Sequence, residues 1–185
     1  MVNFFRSHIA NCAEIAFPLT ELLGRYKPDK LNWGEKQQAA FDALKQALIS
    51  RPVLYPPNRE KGYQIMADSS LTTLSAILLQ EGDKEDETPR VISYASRKLL
   101  PRERNYPTVE RELLSIVFAL AKFHNLVYGK KITVKSDHRS LMYFNSMAKT
   151  SPRLARWILA IQEYDIEVEY IKGDHQLADV LTRVD

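Results

Sequence analysis

A mixed α/β domain with five strands, preceded by a short helical segment, is the architecture this 185-residue sequence predicts. Three observations carry it. Strand-type and helix-type stretches succeed one another from Tyr63 onward as three strands, a helix, a strand, helices, a strand and a helix. A proline-rich stretch, SRPVLYPPNREKG, stands before them. Ahead of that, apolar residues recur only at helical spacing.

Each element follows from its own residues. Ile15, Leu19, Leu22 and Leu23 mark a first helix, RYKPDKLNW breaks it, and EKQQAAFDALKQALI sets Phe41, Leu44 and Leu48 on one face of a second. Pro52, Pro56, Pro57 and Gly62 forbid regular helix and predict an extended connector. The expected division is therefore a helical segment over 1–57 and a main domain over 58–185. YQIMADS is the first strand. LSAILLQEG is the second, and its nearly continuous apolar run predicts burial on both faces. Acidic EGDKEDETP forms a solvated hairpin loop leading to the third strand, RVISYASRKL. After Pro101 and Pro107, TVERELLSIVFALAKF gathers Val109, Leu113, Ile116, Val117 and Leu120 on a broad apolar face, with Thr108 as its cap. KKITVKSD is the fourth strand, HRSLMYFNS a short helix and SPRLARWILAIQEY a longer one. In DIEVEYI, Ile166, Val168 and Tyr170 alternate with Glu167 and Glu169, the pattern of a half-exposed fifth strand. QLADVLTRV closes the order as a helix.

Composition narrows the class. At 45% hydrophobic the chain has enough apolar surface for one full core, and no run approaches the roughly eighteen apolar residues of a membrane span. The opening MVNFFRSHIA lacks the apolar centre of a secretory leader, so an intracellular setting without a membrane partner is expected. Cys12 is the only cysteine, which excludes an internal disulfide and a thiolate zinc cluster. The net charge of +3 says little, but its distribution is uneven: acid gathers between Glu81 and Glu87, base between Arg90 and Arg104.

Four acids stand at element ends beside core-directed residues. Asp68 ends the first strand, Glu112 lies in the first turns of the long helix, Asp137 ends the fourth strand, and Asp179 lies near the start of the last helix. Asp137 read alone is a helix N-cap. Read as a set, the four lie at the margin of a core, where carboxylates repel unless cations neutralise them. Oxygen-only ligands suit Mg²⁺ or Mn²⁺, and a pair of such ions about 4 Å apart serves phosphodiester cleavage.

The motifs VNFFRSHI, PLTELL, LNWGEKQQAAFDALKQAL, ADSSLTTLSAILLQ, VISYASRKL, RNYPTVERELLSIVFAL, VKSDHRSL, RLARW and EYIKGDHQLADVLTR run through nearly the whole chain. In that order and spacing they resemble the C-terminal part of a gypsy-type LTR-retroelement reverse transcriptase: a thumb- or connection-like tail of the polymerase region followed by the ribonuclease H domain. The resemblance implies a ribonuclease H-like fold, a five-stranded mixed sheet of three antiparallel and then two parallel strands, flanked by helices. It implies that Asp68, Glu112, Asp137 and Asp179 are the metal-binding catalytic carboxylates for two Mg²⁺ or Mn²⁺ ions. Asp68 would bridge both, Glu112 and Asp137 would serve the leaving-group side, and Asp179 the side that activates water. The substrate would be an RNA–DNA hybrid, cut in its RNA strand, and the partner the polymerase portion of the enzyme.

Ser69 and Ser70, beside the first acid, would meet 2′-hydroxyls near Glu112. Glu110 points to another helical face and stays outside the set. Arg97 and Lys98, with Arg102 and Arg104, form the densest basic patch, able to track a nucleic-acid backbone or simply be solvated. Arg153 and Arg156 lie at i and i+3 beside Trp157 on a face that either grips phosphates or is purely structural. Tyr106 would line the substrate groove or pack in the core. Ser70 and Ser75 depart modestly from the family pattern after the first acid, and His175 stands where Asn is common. His138 is expected as a polar helix-start residue. IKGDHQLAD is too short for the histidine-bearing loop of cellular ribonucleases H, and no aromatic-X-Asp-Asp polymerase motif occurs. The competing reading, a catalytically silent ribonuclease-H-like connector or nucleic-acid-binding module, is disfavoured by the retained acids.

Overall fold

The computed structural model describes residues 9–23, 32–49, 54–82, 89–149 and 151–171. Helices α1 (Cys12–Ile15), α2 (Phe17–Thr20) and α3 (Glu35–Ile49) precede strands β1 (Tyr63–Ser69), β2 (Thr73–Gln80) and β3 (Arg90–Lys98). Helix α4 (Thr108–Val127), strand β4 (Lys131–Ser136), a 3-10 segment (Arg139–Lys149), helix α5 (Pro152–Gln162) and strand β5 (Asp165–Tyr170) follow. The helix expected over QLADVLTRV, with Asp179 and His175, lies outside the described residues, as does most of the acidic hairpin loop.

The strands form one sheet in the order β3-β2-β1-β4-β5. β1 pairs antiparallel with β2, and β2 with β3, whereas β1–β4 and β4–β5 are parallel. This is the mixed arrangement the resemblance implies. On one face Ile65, Ala67, Leu78, Ile132 and Val134 meet Leu113, Ile116, Leu120 and Phe123 of α4 and Leu154, Ile158 and Ile161 of α5. Each such aliphatic or aromatic side chain is worth roughly 1.5–3 kcal/mol when fully buried. Met66, Ile77 and Leu79 pack with Val91 and Tyr94 on the opposite face. β2 is buried along its whole length, as its apolar run requires. β5 buries Ile166 and Val168 against the core and turns Glu167 and Glu169 to solvent.

Side-chain chemistry sets several boundaries. Ser151 accepts the Leu154 N–H at 3.2 Å and Pro152 follows it, so α5 starts there. Thr108 is not the cap of α4: Pro107 holds that position, and the Thr108 hydroxyl accepts from Arg111 Nη2 at 3.3 Å. α4 ends at Tyr128, followed by Gly129 at φ +72°, a left-handed turn that glycine adopts without strain. The expected helix over HRSLMYFNS is instead a 3-10 segment with non-helical backbone at Tyr143. Leu141 is buried and Phe144, Met147 and Ala148 pack partly buried against the core, while Ser146 donates to the Tyr143 carbonyl at 2.7 Å, a side-chain bond of the kind that competes with regular helix at this kink.

The amino-terminal segment folds back onto the sheet. Ala13 N–H donates to Ser96 Oγ on β3 at 2.9 Å, and Ile9, Cys12 and Leu44 form a small core of their own. Phe41, on one face of α3 with Leu44 as expected, is 48% exposed. The inward stripe is Ala40 and Leu44, which leaves Phe41 stacked edge-on against Trp33 with ring centroids 6.1 Å apart. Leu54 to Asn58 form neither helix nor strand, and Tyr55 N–H reaches the Val91 carbonyl at 2.9 Å. Among the described residues no helix is long and apolar enough to cross a membrane.

Candidate active site

Because β1 and β4 run parallel, both end at the same edge of the sheet. Their register reaches Met66 opposite Lys135, and continuing it by two residues sets Asp68 against Asp137. α4 crosses the same edge and delivers Glu112, only 3% exposed, from its second turn. Alternation along β1 turns Ile65 and Ala67 toward α4 and Met66 away. Ser69 thereby falls on the α4 side, and its hydroxyl donates to Glu112 Oε1 at 2.6 Å. Asp68 lies in one row with Ser75 and Ser96 across three strands. Ser75 is a small residue whose buried hydroxyl has no hydrogen-bond partner among the described residues.

The electrostatics mark Glu112 as the focus. Burial, reinforced by the charges of Asp68 and Asp137, pushes its carboxyl up to about 8, against the opposing pull of the Ser69 hydrogen bond and the Arg111 guanidinium. Asp68, Glu112 and Asp137 therefore share one electrostatic neighbourhood although 69 positions separate the outer two. Among the described residues no three His, Cys, Asp or Glu side chains stand close enough to form a ready metal cage, and Asp179 lies outside them. The donor set nonetheless fits a hard divalent cation: all its charged atoms are carboxylate oxygens, and the most buried one resists ionisation for want of a countercharge. Among the described residues Asp137 accepts no backbone N–H. The Ser136 hydroxyl takes the His138 N–H at 3.1 Å, while the Asp137 carboxylate meets His138 Nδ1 at 3.2 Å, so the carboxylate is not a helix cap.

The residues expected to meet nucleic acid divide into two groups. Arg97 is committed internally: it donates to both oxygens of Glu103, at 2.6 and 3.1 Å, and lies over the Phe118 ring. Glu103 sits below the ordinary carboxylate value even though burial pushes it up, because Arg97 and the Leu100 N–H hold it ionised. Lys98 lies 3.9 Å over the Phe17 ring and 3.7 Å from Glu21. The Ser70 hydroxyl accepts the N–H groups of Thr72 and Thr73, closing the β1–β2 turn. By contrast Tyr106, Arg153 and Arg156 line, with Arg102, Glu103, Leu114 and Trp157, a cavity of about 420 Å³. Arg153 stacks 4.1 Å over Tyr106 and pairs with Glu110. Glu110 thus belongs to this groove and not to the carboxylate set.

Two contributors escaped the sequence. Arg111, buried beside Glu112, donates to the Ser70 carbonyl at 3.3 Å, and Glu14 takes the Ser70 and Thr73 hydroxyls. Arg111 lies off the apolar face of α4 and Glu14 sits in a different segment, so no local pattern announced either.

Comparison with known proteins agrees with this architecture. Residues 33–134 match the family model described as the RNase H-like domain found in reverse transcriptase. Over 98–100% of its length the chain is 35% identical to the retrovirus-related Pol polyprotein from transposon 297 and 37% identical to that from transposon 412, both of Drosophila melanogaster, and it spans 17% and 14% of them. It is 32% identical to the Pol polyprotein from Drosophila transposon gypsy, spanning 18% of it. A foamy viral protease-reverse transcriptase solved in complex with RNA/DNA hybrid superposes with a TM-score of 0.76 over 92% of this chain and 23% of that one, at 22% identity. With its mixed sheet, its carboxylate edge and this match over more than half its length, the chain belongs to the family of RNase H-like domains found in reverse transcriptases.

Proposed function

We propose that this domain hydrolyses the RNA strand of RNA–DNA hybrids with the help of divalent metal, as the nuclease of a retroelement Pol polyprotein. The observation that carries the reading is buried Glu112 within the electrostatic reach of Asp68 and Asp137, an arrangement that disfavours its ionisation and that a divalent cation would relieve. Asp68, Glu112 and Asp137, joined by Asp179, would hold Mg²⁺ or Mn²⁺, two ions by family analogy. What the cations would supply is charge neutralisation and Lewis-acid activation at the scissile phosphate. The chain's own part is positional. Ser69 fixes the rotamer of Glu112, and the parallel β1–β4 pair sets the spacing of the two aspartates.

The groove at Tyr106 and Trp157 supports binding of the hybrid's backbone. Its Arg153 is balanced by Glu110, and Arg102 shares the charge of Glu103 with Arg97, whereas Arg156 forms no ion pair among the described residues, leaving the wall with more base than acid beside aromatic faces. Arg156→Ala should therefore weaken hybrid binding uniformly across sequences and reduce the slope of log affinity against log salt by about 1. Titration at several salt concentrations checks it. The polymerase portion of the polyprotein is the proposed partner and an intracellular site the proposed setting.

The direct test incubates the chain with a labelled RNA–DNA hybrid and Mg²⁺ or Mn²⁺, beside Asp68→Asn and a chelator control. Cutting of the RNA strand that needs metal and is lost in Asp68→Asn is the expected result. Binding without cutting would instead identify a silent connector module.

A further inference from the structure

Three consecutive residues at the end of β1 face three different duties. Asp68 belongs to the carboxylate edge, Ser69 holds Glu112, and Ser70 closes the turn into β2. That turn is gripped from both sides of the sheet. From α4, Arg111 Nη1 donates to the Ser70 carbonyl at 3.3 Å. From the amino-terminal segment, the Glu14 carboxylate accepts from Ser70 Oγ at 3.2 Å and from the Thr73 hydroxyl. Thr73 is 1% exposed, so its hydroxyl meets this carboxylate in a setting sheltered from water.

The placement of Glu14 is itself built. Asn11 adopts a left-handed backbone at φ 47°, a conformation asparagine tolerates, and its carbonyl accepts the Glu14 and Ile15 N–H groups to start α1. Ala13 N–H is tied to Ser96, which lies in the same cross-strand row as Asp68. Phe17 lies under Lys98 at 3.9 Å and under Arg104 at 5.8 Å. A segment that by sequence belongs before the nuclease domain thus ends with one carboxylate on the turn that follows the first catalytic acid.

We propose that Glu14 is a positioning residue for the nuclease site, locking the Ser70–Thr73 turn so that Asp68 and Ser69 are held for catalysis. The amino-terminal segment is then a working part of the site. This inference rests on the nuclease reading for its kinetic consequence but not for its structural one, which separates the two tests.

In the full chain, Glu14→Ala should lower kcat for hybrid cleavage by about tenfold with KM changed less than about twofold, since the turn orients the acids and does not grip the backbone. Glu14→Gln, whose carbonyl still accepts from both hydroxyls, should retain activity within about threefold of wild type. Thr73→Val, which removes one donor while keeping its shape, should fall with Glu14→Ala; Asp42→Ala on the exposed face of α3 should behave as wild type. Hydrogen exchange of the Thr72 and Thr73 amides, run without metal or substrate, should speed by about tenfold in Glu14→Ala and be restored in Glu14→Gln. Unchanged kcat and unchanged turn exchange in Glu14→Ala would overturn the proposal. So would a loss that Gln fails to rescue and that tracks a drop in global melting temperature. If wild type does not cut at all, the nuclease reading falls while the exchange arm still decides whether Glu14 locks the turn.

Discussion

Asp137→Asn will lower hybrid cleavage by at least about a thousandfold while leaving the metal-free melting temperature unchanged or raised. The two halves of this result have different causes. Activity falls because one of the charges that would hold divalent metal disappears, and losses of several kcal/mol in transition-state stabilisation follow from weakening such a site. Stability does not fall because, among the described residues, the Asp137 carboxylate supports no backbone group: it meets His138 Nδ1 at 3.2 Å, and the neighbouring N–H is held by Ser136. The Asn carbonyl can take over the His138 contact, and the charge that disfavours ionised Glu112 is gone. Cleavage assays and melting in chelator measure the two halves. A drop of more than about 2 kcal/mol in the metal-free fold would show that Asp137 is a structural hydrogen-bonding residue and not a ligand.

The metal-free protein will lose stability as pH rises from about 5 to 9, and Glu112→Gln will flatten that slope. The ordinary value for this carboxyl is 4.5, and in the folded chain burial, with the charges of Asp68 and Asp137, raises it to about 8. The folded state therefore holds this proton more tightly than the unfolded state. The stability linked to it is fully present below pH 4.5 and is lost as pH climbs through about 8. A shift of that size sets an upper bound of about 5 kcal/mol, and relaxation of the site will leave a fraction of it. Denaturant midpoints measured in chelator across this range test the slope. Adding Mg²⁺ at the alkaline end should restore what was lost, since a ligand that binds only the folded state stabilises it. A flat profile in the wild type would mean that burial and the neighbouring acids do not raise the Glu112 carboxyl.

What the sequence disclosed and what it withheld follow a physical division. β1 was legible to the residue, and β3 and β5 to within one, because alternation and bounding breakers are local. The positions of Asp68 and Asp137 at strand ends were legible in local pattern, and parallel pairing sets those two ends side by side; their role as ligands came from the family resemblance and not from local pattern. Arg153 stayed open between a phosphate grip and a structural role because nothing local announces Glu110, 43 positions away, as its partner. Lys98 and Ser70 read as open to substrate for the same reason: Phe17, Glu21 and Glu14 reach them only through the folding back of the amino-terminal segment, with Glu14 and Ser70 56 positions apart. Helical periodicity put Phe41 and Leu44 on one face of α3 but could not say which of them is covered, since it reports spacing and not partners: Leu44 is buried and Phe41 exposed.

β5 is the last strand of the described sheet, and it carries Asp165, Glu167 and Glu169, all exposed, along only six residues. A second copy approaching that border to extend the hydrogen-bonded ladder would bring like charges face to face. Brevity and acidity together discourage runaway self-association, a safeguard for a domain whose relatives are embedded in polyproteins several times its size.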